Sequence, residues 1–351
     1  MRKQILKGLL IASFSIGLGA CSQFAANSTV RIMAQASPAL QSFSDPALAE
    51  ASLPYSITQM EGLLLVVPNN TALRINLMRA LGSYGFGFLE ERLEVAERAD
   101  DEERMEHYRA RATTMYLRAK AVGFETLSQE EDGDGGADGA VRRGIDAWRA
   151  YLQRFDDREQ VGMIFWTGYA WARHINLNKN DPDVLADLPF AIAVFERALQ
   201  LDPTYMNYAP CAAMAAYYAR AAPSLGGEPE RSRELFERAI NGTQRHFLTY
   251  LVLQARAYAV MVQDRALYRR LLEEVINAGD VMPEQRLANQ IAKRRARRYL
   301  EQIDDLFAPE ETPAEGATPA EGTAPAEGAA PAETPAATPA AAPAAAPAAT
   351  P

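Results

Sequence analysis

The feature that most constrains this chain is the helical spacing of its apolar residues between about residues 45 and 307. The alternation of Val, Ile and Thr with polar residues that a half-buried strand needs is nearly absent from this stretch. Turn and cap sequences interrupt the pattern at residues 68–70, 202–203, 226–227 and 279–280. The sequence therefore predicts an all-α fold of about ten helices joined by short loops.

One helical segment has a more specific spacing. Ala191, Phe195, Ala198 and Pro203 match the second helix of a tetratricopeptide repeat, in which small residues let two helices approach and proline ends the repeat. Insertions break the period of about 34 residues that such repeats follow. The sequence predicts an α-helical bundle or solenoid of divergent tetratricopeptide-like pairs with a concave binding surface. The other predicted helices are residues 56–67, 205–222, 230–240, 248–262 and 265–276.

The N-terminus is typical of a bacterial lipoprotein signal. Basic residues precede an apolar run at 8–20, which is shorter than the about 20 residues that span a bilayer. The junction Leu18-Gly19-Ala20-Cys21 resembles a lipobox, whose Cys is acylated and becomes the mature N-terminus. We expect a signal peptide at 1–20 and a linker at 21–44, the alternative being an ordinary signal peptide with a coincidental Cys.

Lipidation at Cys21 has two consequences. The protein would be held on a membrane by its lipid, and Ser22 after the Cys favours the periplasmic face of the outer membrane over the inner membrane. Cys211 would then have no intrachain partner, and we expect it to be a buried thiol.

The C-terminal segment, residues 308–351, consists mainly of Ala, Pro, Glu and Thr. Past residue 308 it has no aromatic residue and no aliphatic residue larger than Ala, so it cannot bury enough apolar surface to offset its ordering entropy. We expect a disordered tail that is solvated, with a tether toward a partner or the cell wall as the alternative.

Composition excludes several classes of function. A net charge of −9 argues against nucleic acid as a partner, because phosphate binding needs a basic face. Two Cys and three His leave no disulfide scaffold or His-rich metal site, and no nucleotide loop, zinc motif or catalytic triad is found. We predict no catalytic residue, no metal and no cofactor, hence no enzyme. The acidic loop 130–139 departs from a calcium-binding loop at Gly136, Ala137 and Arg143, and we expect a solvated linker.

Aromatic residues are the best candidates for ligand contact, because Tyr and Trp combine apolar area with a polar group. Those on the segment 165–171 occupy more than one helix face, which is typical of a helix that is fully buried or borders an apolar cavity. Glycines 82, 85 and 87 suggest that another backbone approaches closely. Core packing is the alternative role for every candidate. The candidate ligand or pore residues are Tyr84, Phe86, Phe165, Trp166, Tyr169, Trp171, Tyr205, Tyr208, Tyr217 and Tyr218.

Two further features have ordinary structural explanations. His174 has no second metal-ligating residue at a suitable spacing, which indicates a structural His. The basic run 293–298 either interacts with the C-terminal carbonyls of its own helix or faces an acidic partner, and the first is commoner.

Several stretches carry a family resemblance. The most discriminating is the Leu-Gly-Gly-acid-Pro loop at 225–229. The chain resembles the T component associated with TRAP transporters, which is the TatT family of lipoproteins. The resemblance covers about residues 45–307 together with the lipobox. The other stretches that carry it are residues 169–172, 176–181, 195–203, 236–239 and 287–296.

The resemblance implies a periplasm-facing, lipid-anchored protein that associates with the periplasmic solute-binding protein of a TRAP transporter. It implies a homotrimer in which each protomer has a pore or cavity for a small hydrophobic organic ligand. No motif of the family identifies pore-lining residues in this sequence. The alternative function is an outer-membrane scaffold lipoprotein that assembles proteins and binds no ligand.

Overall fold

The computed structural model of the protein describes residues 23–36, 38–220 and 226–307. Every regular element in these ranges is a helix, and none of their residues lies in a strand. The predicted all-α fold is therefore confirmed. The predicted lipidation site Cys21 and the tail from residue 308 onward lie outside the described residues.

The helices range from a single turn to the 29 residues of α5. Two of them run into a π-helical turn, Gly85–Leu89 after α3 and Ala255–Ala259 after α13. The helices are α1 (23–36), α2 (Pro46–Leu64), α3 (Thr71–Tyr84), α4 (Glu90–Arg98), α5 (Glu102–Glu130), α6 (Gly136–Arg142), α7 (Ile145–Leu152), α8 (Val161–Leu177), α9 (Pro182–Leu185), α10 (Leu188–Leu201), α11 (Tyr205–Arg220), α12 (Pro229–Gly242), α13 (Thr249–Gln254), α14 (Arg265–Asn277), α15 (Arg286–Glu301) and α16 (Ile303–Leu306).

Short polar residues determine where several helices begin. Asp45, Asn70 and Asp264 precede α2, α3 and α14, and each accepts a hydrogen bond from a backbone N–H of the first turn. Pro46 and Pro229 occupy the first helical position, where a missing N–H costs nothing. These starts therefore follow from local sequence.

Helices that follow one another along the chain often pack together. Contacts join α2 to α3, α8 to α10, α10 to α11, α11 to α12 and α14 to α15. The long helix α5 packs against both α3 and α8. Helix pairing is thus present, and the tetratricopeptide-like character of the pairs stays a prediction.

The end of the fold contacts its beginning. Arg294 pairs with Glu91 of α4 at 2.6 Å, Arg298 pairs with Glu91 and Glu94, and the Tyr299 hydroxyl donates to Glu94 at 2.8 Å. Repeats in an open stack contact only their neighbours, so this contact closes the set of helices. The basic run 293–298 on α15 therefore faces acidic residues of α4 in the same chain. Of the two explanations for this run, an acidic partner was the less common one.

The expected linker at 21–44 is largely helical where the structure describes it. Ala26 and Val30 of α1 are buried, and Met33 packs beside them, so one apolar stripe faces the core. The Asn70 side chain donates to Asn27 at 2.8 Å. This segment is part of the folded unit.

The acidic loop at 130–139 is more ordered than a solvated linker. Gly135 and Gly136 adopt φ of +85° and +63°, a conformation that favours glycine. A Cβ on Gly136 would lie 2.4 Å from Ser128 Oγ, and Ser128 accepts from the Ala137 N–H. Helix α6 begins at Gly136, so the expectation of a solvated loop is wrong for residues 136–139.

Two expectations about cysteine and membrane contact can be compared with the structure. As predicted, Cys211 is a buried free thiol. Its Sγ donates to the Pro203 carbonyl at 3.3 Å. Among the described helices, none combines the length and the apolar character needed to cross a bilayer.

Helix α8 borders two of the three buried cores. One core surrounds Trp148 and Trp171, and it includes side chains of α5, α7 and α10. Another contains residues of α1, α2, α3, α5 and the π-helical turn after α3, together with Ala170 of α8 and two residues of α15. The third lies between α11 and α16, around Phe236 and Tyr268. Because α8 borders two cores, we expect a candidate site along one of its faces.

Candidate ligand-binding site

The predicted ligand-contacting residues lie in several separate places. One group, in which Phe165 and Trp166 are buried core residues, lies between α3, α8 and the first turn of α11, a second at the π-helical turn after α3, and others deeper in the core or at the surface. The first group is Phe165, Trp166, Tyr169 and Tyr205, and the second is Tyr84 and Phe86. Trp171 lies in the core, and Tyr208, Tyr217 and Tyr218 lie at the surface.

The first group forms a continuous aromatic wall. The ring of Phe165 lies 5.3 Å from Trp166 and 5.7 Å from Tyr205, and the ring of Trp166 lies 5.2 Å from Tyr169. Directly after Tyr205 the backbone takes positive φ at 206–208, which separates Tyr205 from the rest of α11. Sequence reasoning grouped the first three residues, and the structure adds Tyr205 to them.

Two glycines give this wall its shape. A Cβ on Gly82 of α3 would lie 3.2 Å from the ring of Tyr169, and one on Gly162 of α8 would lie 3.1 Å from the hydroxyl of Tyr205. Side chains likewise contact Gly85 and Gly87, through Tyr116 and an isoleucine of α15. The expectation that another backbone approaches these glycines is wrong, since their close neighbours are aromatic and aliphatic side chains.

Arg79 of α3 lies at the same place and was not predicted. Burial lowers the pKa of Arg79, and the neighbouring Tyr205 opposes that shift. Burial raises the pKa of Tyr205, and Trp166 and Arg79 oppose that rise. Burial likewise raises the pKa of Tyr169, against the effect of Arg295.

Arg79, Tyr169 and Tyr205 nevertheless stay partly accessible to solvent. These side chains pack against buried aromatic rings and still contact solvent, so the candidate site lies at the edge of the core. We call this site the α3–α8 recess and define it by six residues, which are Arg79, Gly82, Phe165, Trp166, Tyr169 and Tyr205.

The indole N–H of Trp166 has an unusual environment. The side chain is only 6% exposed, and its N–H has no hydrogen-bond partner among the described residues, although Tyr205 is near. Buried polar groups in folded proteins almost always have partners, so an unsatisfied donor requires an explanation. Among the described residues, this donor therefore has no acceptor in hydrogen-bond geometry, and the nearby Tyr205 hydroxyl is its closest potential partner.

Phe86 lies at the π-helical turn between two arginines. The guanidinium of Arg295 is 3.9 Å from the ring centroid and that of Arg173 is 5.0 Å from it, and Arg295 also donates to the Phe86 carbonyl. Arg173 in turn pairs with the buried Glu90. Phe86 therefore makes cation–π contacts with two arginines, which suits a structural role.

Trp171 lies in the packed core. It is fully buried, and its indole N–H donates to Asp187 at 2.8 Å. Trp148, Phe124 and Phe190 pack around its ring. This residue, predicted as a ligand or pore candidate, has no access to a ligand in this arrangement.

Tyr217 and Tyr218 border a surface depression of about 680 Å³ between α9, α10, α11 and α12. Its rim carries both signs of charge, and Arg231 of the rim pairs with Glu228 at 3.4 Å and lies over the Tyr218 ring. Tyr208 borders a smaller depression of about 290 Å³. Both depressions are open to solvent and lie away from the α3–α8 recess.

Sequence reasoning missed Arg79 because an arginine in a helix is usually a surface residue. A signal was nevertheless present. Arg79 lies four residues after Ile75 and three before Gly82, which places it on the helix face that packs toward α8.

Comparisons with known proteins place the chain in a family. The family model for TAtT, the TRAP transporter T-component, matches residues 43–307. An uncharacterized protein of Treponema pallidum (strain Nichols) is 24% identical over 264 residues, which are 75% of this chain and 80% of the relative. Because the family match spans most of the sequence, the chain belongs to the TRAP transporter T-component family.

Proposed function

We propose that this protein is a non-enzymatic, periplasm-facing lipoprotein that binds the solute-binding protein of a TRAP transporter and holds or passes a small hydrophobic organic ligand in an apolar cavity or pore. Membership in the T-component family supports a role in TRAP transport. The ligand and the partner go beyond that membership. The observation that carries the ligand part is the α3–α8 recess, where aromatic side chains inside the fold still contact solvent.

The recess has the composition of a small-molecule site. Such sites are concave, mostly apolar and aromatic, and contain a few polar groups that fix the ligand's orientation. Phe165, Trp166 and Tyr169 supply the apolar wall, and Arg79 and Tyr205 supply the polar groups. The proposal includes the alternative that the recess continues as a pore through the protomer.

A protein partner has a suitable surface on α2. Both charged residues of α2 turn toward other helices, Glu50 to Arg92 and Glu61 to Arg118. The outward face of α2 is therefore uncharged, and on it Tyr55 is 67% exposed. An uncharged surface with exposed apolar residues is typical of a protein interface, either with the solute-binding protein or with another copy in a homotrimer.

The lipid anchor at Cys21 is proposed on the lipobox alone. We place the protein on the periplasmic face of the outer membrane, with the inner membrane as the alternative. Mass spectrometry of the protein extracted from membranes tests this directly, because acylation adds the mass of the fatty chains to Cys21.

Capture of the partner tests the proposed function. The full chain, isolated from membranes, is incubated with TRAP-type solute-binding proteins of the same organism, and native mass spectrometry reports partner, oligomer and bound small molecules. We expect capture, and we expect Tyr55→Asp to weaken either capture or trimer formation. Leu117→Asp, an exposed apolar residue of α5, is the matched control.

Two outcomes would decide against the proposal. Capture of other proteins with no small molecule bound would favour the scaffold function. Recovery of neither a solute-binding protein nor any small molecule would contradict the proposed function as a whole.

A further inference from the structure

We propose that α1 and the turn between α2 and α3 form a surface that contacts the lipid bilayer beside the anchor. This inference rests on the proposed function, because it takes Cys21 as acylated. It adds a second contact with the membrane, which would give the folded unit a fixed orientation on the bilayer. We call this contact the α1 surface and define it by five exposed residues, which are Phe24, Arg31, Ile32, Leu65 and Val66.

Helix α1 has an apolar face that the folded unit leaves uncovered. Ala26 and Val30 are buried in the core, and Phe24 and Ile32 lie on the opposite side of the helix. Phe24 is 70% exposed and Ile32 is 65% exposed. Exposed large apolar side chains that lie together mark a contact with a protein or a membrane.

The polar groups of α1 are compatible with a lipid interface. The hydroxyls of Ser28 and Thr29 donate to the carbonyls of Phe24 and Ala25 at 2.9 and 3.1 Å, so their protons are already used within the helix. Residues 23–36 include no acidic residue, and their single charge is Arg31. An exposed arginine beside apolar side chains matches the anionic headgroups of a phospholipid surface.

The turn after α2 extends this surface. Leu65 is 87% exposed, Val66 is exposed beside it, and residues 65–70 carry no charge. The Asn70 side chain donates to Asn27 at 2.8 Å, which holds the turn against the first half of α1. Two segments that are distant in sequence therefore bring exposed apolar residues to neighbouring positions.

The position of the anchor indicates that lipid covers the α1 surface. Consecutive Cα atoms are about 3.8 Å apart, so the Cα of Cys21 lies within about 11 Å of that of Phe24. Fatty chains on Cys21 would keep this residue at the headgroups, and the start of α1 would lie equally near them. Apolar side chains of a surface helix enter the headgroup and acyl boundary by about 5–10 Å, which fits this separation. A protein partner would have to enter the narrow space between α1 and the bilayer.

Fluorescence quenching in vesicles tests the inference on the full, lipidated chain. Leu65→Cys is labelled with a nitrobenzoxadiazole maleimide and reconstituted into phosphatidylethanolamine–phosphatidylglycerol vesicles that contain a lipid with a nitroxide on its acyl chain. Cys211 is buried, and the unsubstituted protein treated in the same way measures any label that it takes up. We expect the nitroxide lipid to quench this label several-fold more strongly than the same label on Val262→Cys. Val262 is the matched control because it is an exposed apolar residue near the third core.

A second pair of variants tests whether α1 and the turn contact the bilayer together. Ile32→Glu places a carboxylate in the α1 surface at an exposed position, so it should reduce quenching of the Leu65 label several-fold without disturbing the fold. Val95→Glu makes the same change at an exposed apolar position of α4 and should leave the quenching unchanged.

The outcomes separate this inference from the proposed function. Equal quenching of the two labels, with Cys21 acylated by mass spectrometry, would overturn the inference and leave partner capture unaffected. A Leu65 label that is not quenched by the lipid and is shielded from aqueous iodide equally in vesicles and in detergent would also overturn it, because another copy of the chain would then cover the surface. Absence of acyl chains from Cys21 would contradict both the proposed anchor and this inference.

Discussion

Helix α8 presents two aromatic faces that look alike in sequence and differ in structure. On one face, the indole N–H of Trp171 donates to Asp187 at 2.8 Å, and Lys120 lies 4.0 Å from the ring centroid. On the other face, the N–H of Trp166 has no acceptor among the described residues, and Tyr169 beside it contacts solvent. Aromatic content is therefore alike on the two faces, and the difference between them lies in the satisfaction of their polar atoms.

Glycine-to-alanine substitutions should give the largest difference in unfolding free energy between the two faces. Gly123 of α5 packs on the core face, where a new Cβ would lie 2.3 Å from Thr167 Oγ1 and 2.9 Å from its Cβ. Gly123→Ala should therefore destabilise the protein by about 3 kcal/mol, since overpacking a rigid contact forces backbone shifts. Gly82→Ala, whose neighbours in the recess lie at 3.2 Å or more, should cost less than about 1 kcal/mol because helix propensity favours Ala. Urea unfolding of both variants measures the difference, and equal costs would contradict it.

The tryptophans give the second comparison. Trp171→Phe removes a hydrogen bond to a carboxylate and part of a fully buried ring, and we expect a loss of about 2 kcal/mol. Trp166→Phe also removes part of a buried ring, but its N–H has no acceptor among the described residues, so its cost should be smaller, about 1 kcal/mol. The same unfolding measurement applies. A larger loss for Trp166→Phe than for Trp171→Phe would show that the recess face is the better packed one.

The smallest expected effect is a pH dependence on the core face. Burial lowers the pKa of His174, and Lys120 adds to that shift against Asp187. Because the unfolded chain binds a proton at His174 near pH 6.5 and the folded chain does so only at lower pH, stability should decrease as the pH falls below about 6.5.

Urea midpoints at pH 7.5 and 5.5 measure this effect. His174→Gln should reduce the decrease in stability, and His107→Gln, at an exposed position, should leave it unchanged. An identical decrease in His174→Gln and the unaltered protein would remove His174 as its source.

Much of the helix pattern could be predicted, because apolar periodicity is a local property. The predicted helix at 265–276 is α14, Arg265–Asn277, and the one at 230–240 lies within α12, Pro229–Gly242. Helix α1 was missed because its residues are mostly small or polar, and only its packing against α2 and α3 reveals the apolar stripe. The contact between α15 and α4 joins residues about 200 positions apart, which local sequence cannot specify.

The candidate site was predictable only in part. The aromatic residues of the segment 165–171 were identified from the sequence. The sequence did not show which face of α8 lies in the core, because the partners of Trp171 there, Asp187 and Lys120, come from other parts of the chain. Arg79 gained its place in the recess from tertiary packing against α8. Both facts depend on distant parts of the chain.

The most direct test of this difference between the faces of α8 follows the three indole N–H groups by nuclear magnetic resonance of protein with ¹⁵N-labelled tryptophan. Those of Trp148 and Trp171 donate to Phe190 and Asp187 at 3.0 and 2.8 Å, and that of Trp166 has no acceptor in the described part of the chain. On addition of 4-phenylbutanamide, an uncharged organic probe with an apolar ring, we expect the Trp166 indole resonance to shift and those of Trp148 and Trp171 to stay in place. A shift confined to Trp148 or Trp171, or no shift at saturating probe, would contradict the assignment of the recess as the binding site.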